Sequence, residues 1–268
     1  MSHWYDKSGT PCYEVKGKNG MKPTTLREAR KFGWVPSVST VWSEVVVKPM
    51  LTKWIQGELM EAMWSETFSA HNIGATGGYE LYEKKARDKF NQKQQFVMNR
   101  GTTIHDHLEK FLSGEKNQVP SEYIGLCESV VHKLKEVTGM DQWVVEKPFA
   151  HPLGYGGKVD LHNDDWVVDF KTKEFKEKPN VKKMVYDDNG VQLAAYAQGL
   201  KPASENKPEN SINGRKLLNL FIDVGDLHSG TLVLEWEHEN VERFRQMFNH
   251  ALSLWQLIKK YNPQWNIM

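Results

Sequence analysis

The stretch that most constrains this chain is residues 154–173, GYGGKVDLHNDDWVVDFKTK. Two strand-like runs flank Asp164-Asp165, which predicts a hairpin turning on that pair with Asn163 and Trp166 on either side. A turn fixes register, and this one sets Asp160 opposite Asp169 and Lys158 opposite Lys171. Side chains alternate along a strand, so Val159, Leu161, Trp166, Val168 and Phe170 share an apolar face that belongs against a core. Lys158, Asp160, His162, Asp169 and Lys171 share the other face. Carboxylates set directly across a ladder repel unless a cation compensates them, and a divalent metal on hard oxygen ligands would do so.

Asp169-Phe170-Lys171 has a logic of its own. The Asp and Lys are two residues apart on a strand and reach one site, while Phe170 anchors the opposite face and offers its carbonyl as a further oxygen ligand. On this reading Asp160 and Asp169 hold Mg²⁺ or Mn²⁺. Lys171 sits beside the attacking water or the scissile phosphate. Glu146, on the neighbouring run QWVVEKPF, is a candidate additional acid, with a solvated or Lys-paired Glu as the equal alternative.

Capping and periodicity place the other elements. Thr24 or Thr25 caps a short helix that ends near Gly33, and Pro36-Ser37-Val38-Ser39-Thr40 opens another. Apolar spacing is helical from Val47 to about Phe68. Residues 79–98 read as a charged helix and RGTTIHDHLEKFLSG as a separate short one. A further helix runs from Ser121, as N-cap, to a stop at Gly139. QWVVEKPF, GYGGKVDLH and WVVDFKTK are three successive strands, NGVQLAAYAQGL is a helix and KPASENKPENSING a loop. RKLLNLFIDV and GTLVLEWE are two more strands. A last helix buries Phe244, Met247, Phe248, Ala251, Leu252, Trp255 and Ile258. Residues 1–24 fit a strand–turn piece or an arm. The order implies an α/β fold forming a single domain over 1–268, with 1–100 as a mainly helical elaboration on a core at 101–268.

Composition excludes several classes. Net charge is +1, so nucleic-acid binding would rest on local patches. Two cysteines, Cys12 and Cys127, cannot build an iron–sulfur cluster or a four-thiolate zinc site. They read as reduced thiols, with a single disulfide as the alternative. No apolar run reaches membrane-spanning length, and the expectation is a soluble, cytoplasmic protein of a bacterial or phage-infected cell. Among the ten Trp, core packing is the main reading, while Trp34, Trp42 or Tyr155 could stack on unpaired bases.

GGKVD, a turn and VVDFKTK together resemble the core motif of the PD-(D/E)XK nuclease superfamily. Two further pieces resemble its RecB-like branch: Gly101 to His105 ahead of the strands, and Gln192-Leu-Ala-Ala-Tyr196 after them, the QxxxY motif. The early PSVSTVW is similar to a segment of mitochondrial genome maintenance exonucleases and related phage proteins. The resemblance implies a restriction-endonuclease-like core, a central mixed sheet flanked by helices. It implies a Mg²⁺- or Mn²⁺-dependent DNA exonuclease acting on single-stranded or end-exposed DNA. His105, Asp160, Asp169 and the Phe170 carbonyl would bind metal, Lys171 would assist water attack, and Gln192 and Tyr196 would brace the site. Ser37, Ser39 and Thr40 would lie near the DNA, and Lys173 and Lys176, in the basic run after the Asp-x-Lys strand, are candidate phosphate contacts. Roles in DNA repair or recombination beside phage or host proteins follow from the same likeness. Two alternatives stand beside it: a structure-specific or nicking endonuclease of the same superfamily, and a nucleic-acid-binding recombination or packaging accessory with a vestigial site.

Overall fold

The computed structural model describes residues 3–69, 78–175, 179–200, 212, 214–226 and 230–264. Lys176 and most of the loop expected across 201–214 lie outside them. The elements in order are β1 (Trp4–Tyr5), β2 (Glu14–Gly17), β3 (Gly20–Pro23), α1 (Leu26–Phe32), β4 (Val35–Pro36), α2 (Val38–Val45), α3 (Pro49–Ser69) and α4 (Gly78–Leu112). There follow α5 (Ser121–Thr138), β5 (Val144–His151), β6 (Tyr155–His162), β7 (Trp166–Lys173), α6 (Val181–Met184), α7 (Asp187–Gly199), β8 (Lys216–Asp223), β9 (Thr231–Glu235) and α8 (His238–Lys259). None of the described helices is long and apolar enough to cross a membrane.

The chain divides into two compact units, residues 1–46 with 105–268, and residues 47–104. The expected boundary near residue 100 therefore holds at only one end, because residues 1–46 belong with the sheet. They carry β1–β4 as well as α1 and α2, and β2–β3 realises the strand–turn option for the N-terminal segment. The smaller unit contains α3 and the first part of α4. There Tyr82 donates to the Met63 carbonyl at 2.6 Å, Lys93 meets Glu58 at 2.5 Å and Lys89 donates to Ser65 at 2.7 Å. The basic run on α4 is thus partly occupied by its own partners.

The larger unit is built on a five-stranded mixed sheet of order β5-β6-β7-β8-β9, in which only β7–β8 is parallel. A parallel neighbour requires a crossover, and α6 and α7 supply it. α7, α8 and α2 cover one face through Val191, Leu193, Phe244, Phe248, Trp255 and Val41, which share a core with Val159, Val167 and Leu217, so Val159 packs apart from Leu161, Val168 and Phe170, with which alternation groups it. The opposite face presents Leu161, Val168, Phe170, Leu218 and Leu220, all buried. α5 meets β9, and the His105 ring on α4 meets Phe170. β7 is thus buried on both faces, as parallel strands are. The hairpin's second face is covered by α7 rather than open to solvent, and Val167 shares it.

The hairpin register is the one the turn dictates: Leu161 pairs with Val168 and His162 with Val167. Asn163 sets it, its side-chain oxygen accepting the N–H groups of Asp165 at 2.9 Å and Trp166 at 2.8 Å, an Asx turn that mimics a backbone turn. Elsewhere local expectations were corrected by packing. Residues 79–112 form one helix rather than two, with Gly101 in its interior. Pro120 is the N-cap of α5 and Ser121 its first residue, while Gly139 ends it in the left-handed region. Ile258 is 56% exposed rather than buried. Both cysteines are free thiols.

α7 must approach α8 closely, and Gly190 permits it. A Cβ there would lie 2.1 Å from the Phe244 ring, which is fully buried. Gly190→Ala should therefore destabilise the protein by about 1–3 kcal/mol, since an overpacked core forces side chains off their rotamers. A urea melt with an unchanged slope and a lower midpoint would register that loss.

Candidate metal centre

β6 and β7 separate soon after their turn. Their registered pairs stop at Leu161–Val168, although β6 stays with β5 as far as Tyr155 and β7 with β8 as far as Lys173. The Asp160 carboxylate occupies the gap, its Oδ2 accepting the Phe170 N–H at 2.7 Å. A residue's N–H and C=O leave a strand on the same side, so the Phe170 carbonyl faces this gap too. The expected facing pair of Asp160 and Asp169 lies just beyond the last registered pair of this hairpin, where the strands have parted.

Two further donors converge on Asp160. His105, from α4, brings Nδ1 to 3.7 Å from Asp160 Oδ2, too long for a hydrogen bond. Its ring meets Phe170 edge-on at 5.9 Å. Glu146 comes from β5 with φ +50°, at the point where the β5–β6 ladder skips the pair facing Asp160. A non-glycine residue in that region costs of order 1–3 kcal/mol and persists where the surroundings impose it. One ligand atom from each of His105, Glu146 and Asp160 lies within 4.8 Å of the others, and all three residues are half-buried. An imidazole nitrogen with two carboxylates is a donor set for a divalent cation, so these residues could hold a metal ion.

Burial dominates the electrostatics of this group. Burial first, and then repulsion from Asp169, hold the Asp160 carboxyl well above the usual carboxylate range, against the opposing Phe170 N–H. Burial also raises Glu146, although Lys158 pulls the other way. Burial lowers His105, favouring the neutral imidazole that a metal needs as ligand, with Asp169 opposing. Lys158 is ion-paired with Glu146. Burial works against its ammonium, but the Glu146 partnership outweighs that and keeps its pKa raised. A metal bound to Glu146 must displace this ammonium. Lys158→Met should therefore tighten Mn²⁺ binding several-fold, as a calorimetric titration would show; weaker binding would mean that Lys158 supports the site rather than competing for it.

Of the expected ligands His105, Asp160, Asp169 and the Phe170 carbonyl, His105 and Asp160 fall within this three-residue group, and Asp169 lies near it. The Asp169 oxygens are already engaged. Lys171 Nζ lies 3.0 Å from Oδ1 and 2.8 Å from Oδ2. Asn219, directly beside it on β8, donates to Oδ2 at 2.8 Å. Trp236 in turn donates to Asn219 Oδ1 at 2.8 Å, which fixes the side-chain amide with its NH₂ toward Asp169. Sequence reasoning missed Asn219, yet a lone Asn in LLNLFI carried a signal, because a fully buried amide must find partners.

α7 brings the predicted brace. Lys171 donates to Gln192 Oε1 at 3.0 Å, and Gln192 Nε2 donates to Tyr196 Oη at 2.8 Å. The spacing of four puts both side chains on one helix face. Gly157 is part of this arrangement, since a Cβ there would lie 2.8 Å from the Tyr196 ring. Burial, then Asp169 and Asp160, raise the Tyr196 phenol well above its ordinary value, so it stays a neutral hydrogen-bonding group.

The expected DNA contacts fare unevenly. Ser37 and Thr40 are buried, and their hydroxyls meet at the start of α2: Ser37 Oγ accepts Thr40 N–H at 3.0 Å and donates to Thr40 Oγ1 at 2.8 Å. Ser37 is thus the N-cap of α2 and Thr40 Oγ1 accepts from Ser37 and from the His3 N–H at 3.1 Å, while Ser39 is exposed beside them. Lys173 is turned inward, with its ammonium donating to the Met184 carbonyl and lying 4.9 Å from the centre of the Tyr186 ring. Trp42 and Tyr155 are core residues; Trp34 is half-buried. No family model and no curated protein matches this chain.

Proposed function

We propose that this protein is a divalent-metal-dependent DNA nuclease with a restriction-endonuclease-like core of the RecB-like type, and that it works as an exonuclease on single-stranded or end-exposed DNA. The observation that carries this reading is the meeting of three things around β6 and β7: the His105/Glu146/Asp160 donor group, the Asp169–Lys171 pair and the Gln192–Tyr196 brace that Lys171 joins.

Mg²⁺ or Mn²⁺ held by His105, Glu146 and Asp160, with the Phe170 carbonyl and Asp169 adjacent, would supply charge stabilisation at the phosphate. The remaining work falls to the chain. Lys171, held between Asp169 and Gln192, keeps an ammonium at one place, where it orients a water or balances charge on the phosphate oxygens. The water oxygen forms the new P–O bond, the P–O bond to one sugar breaks, and the water proton ends on the released alkoxide. Asn219 and Trp236 hold Asp169 so that Lys171 is not free to swing. Degradation of end-labelled single- and double-stranded DNA with Mg²⁺ or Mn²⁺, followed by product sizing, tests the reading. Linear single strands should be shortened from an end and closed circles left intact; cleaved circles would favour an endonuclease.

A further inference from the structure

α1 and the β2–β3 hairpin border an open cavity of about 530 Å³ whose lining includes Lys16, Arg27, Glu28, Lys31, Phe32 and Trp34. Its charge is uneven. Glu28 is the one acid among those residues, and its carboxylate is taken up by Lys22 at 2.7 Å and by the Thr25 N–H at 3.1 Å. Lys16, Arg27 and Lys31 are all exposed.

The same cavity presents an aromatic ledge. Phe32 ends α1, Gly33 caps it in the left-handed region at φ +71°, and the chain reverses so that the Phe32 and Trp34 rings stack at 4.9 Å and 28°. Trp34 is fixed at both ends of its peptide, its N–H donating to Ala29 O at 3.0 Å and its carbonyl accepting from Tyr261 Oη at 2.7 Å. Phe32 lies on top of this anchored ring and is 52% exposed, with Lys31 Nζ 5.1 Å from its ring centre. A solvent-facing ring stacked on its neighbour among three exposed cations matches one ligand chemistry well: a flat base with an anionic phosphate attached.

We infer that this cavity is a binding site for an unpaired nucleotide of a DNA strand, its base taking the face of Phe32 that the Lys31 ammonium lies over and its phosphate among Lys16, Arg27 and the displaced Lys31. A duplex hides its base faces inside the stack, so the site selects single-stranded DNA. The inference rests on the nuclease reading for the identity of the strand, and it adds to that reading a contact outside the metal centre.

The test uses the full chain without divalent metal and reads fluorescence anisotropy of a labelled oligothymidylate. Phe32→Ala should weaken binding by about 5- to 100-fold, the usual range for one stacked base. Arg27→Glu with Lys31→Glu should weaken it as well and flatten its salt dependence. Hydrolysis of bis(p-nitrophenyl) phosphate with Mn²⁺, a substrate too small to reach the ledge, should be unchanged in both variants. Wild-type affinity in both variants, equal weakening for a blunt duplex, or thymidine monophosphate binding as tightly as the strand would each overturn the inference. Loss of the small-substrate reaction in wild-type protein that still binds the strand through Phe32 would instead remove the nuclease reading and leave this site standing.

Discussion

Lys171→Ala and Asp169→Ala are expected to leave folded proteins whose DNA hydrolysis falls by at least about 100-fold, the usual cost of removing a positioned proton-transfer or charge-stabilising group. Lys171 is the cleaner case. Its side chain is only 24% exposed, yet it is shared between Asp169 and Gln192 rather than packed in the core, so its loss removes a charge at the site without opening a cavity. Asp169 is 2% exposed and bonded to Asn219, so its removal should also cost some stability. Circular dichroism and a thermal melt separate the two effects. A folded Lys171→Ala protein with full activity would remove Lys171 from the reaction.

Asp160→Asn should make the metal-free protein more stable while abolishing metal binding. The Asp160 carboxyl is held above its ordinary value by burial and by Asp169. A raised folded pKa means that the stabilising contribution is complete below the ordinary carboxylate value of about 4 and is lost as pH rises through the folded value. At neutral pH and above, Asp160 is therefore a cost, whether it ionises while buried or keeps its proton there, and Asn avoids that cost while its oxygen can still accept the Phe170 N–H. The expected gain is about 1–3 kcal/mol without metal, in the range of single-site effects on buried charge, shrinking toward pH 4. His105 has the opposite sign. Burial lowers its pKa, so its contribution is present above about 6.5 and lost as pH falls. The comparison is therefore read at about pH 8. Mn²⁺ should raise the melting temperature of the wild type and leave that of Asp160→Asn unmoved; a variant no more stable than wild type at pH 8 would contradict this account of the site. Sites that trade stability for function show this pattern.

Much of this was legible in the sequence because it depended on local rules. The turn at Asn163–Trp166 fixed the register, and the alternation within β7 put Asp169 and Lys171 together. The spacing of four put Gln192 and Tyr196 on one helix face, and Ser37 was read correctly as the start of α2. What escaped was set by contacts distant in sequence. The separation of β6 from β7 follows from each strand's other neighbour, which no hairpin rule sees. Glu146 was a candidate acid from the sequence, but the skipped β5–β6 pair beside it was not foreseen, and Asn219 found Asp169 through a parallel pairing 50 residues downstream. The inward turn of Lys173 onto Met184 and Tyr186 depends on where α6 packs. Residues 79–98 and RGTTIHDHLEKFLSG read as two helices, yet α4 runs through both, Gly101 included.

The central claim is that His105, Glu146 and Asp160 form a divalent-metal centre serving hydrolysis beside Asp169 and Lys171. Its most direct test is a calorimetric titration of Mn²⁺ into the metal-free protein, repeated in buffers of different ionisation enthalpy and with Asp160→Asn. The account predicts saturable binding with proton release in the wild type, since metal ligands must shed their protons to bind, and its loss in the variant. Wild-type binding no greater than that of Asp160→Asn would contradict it.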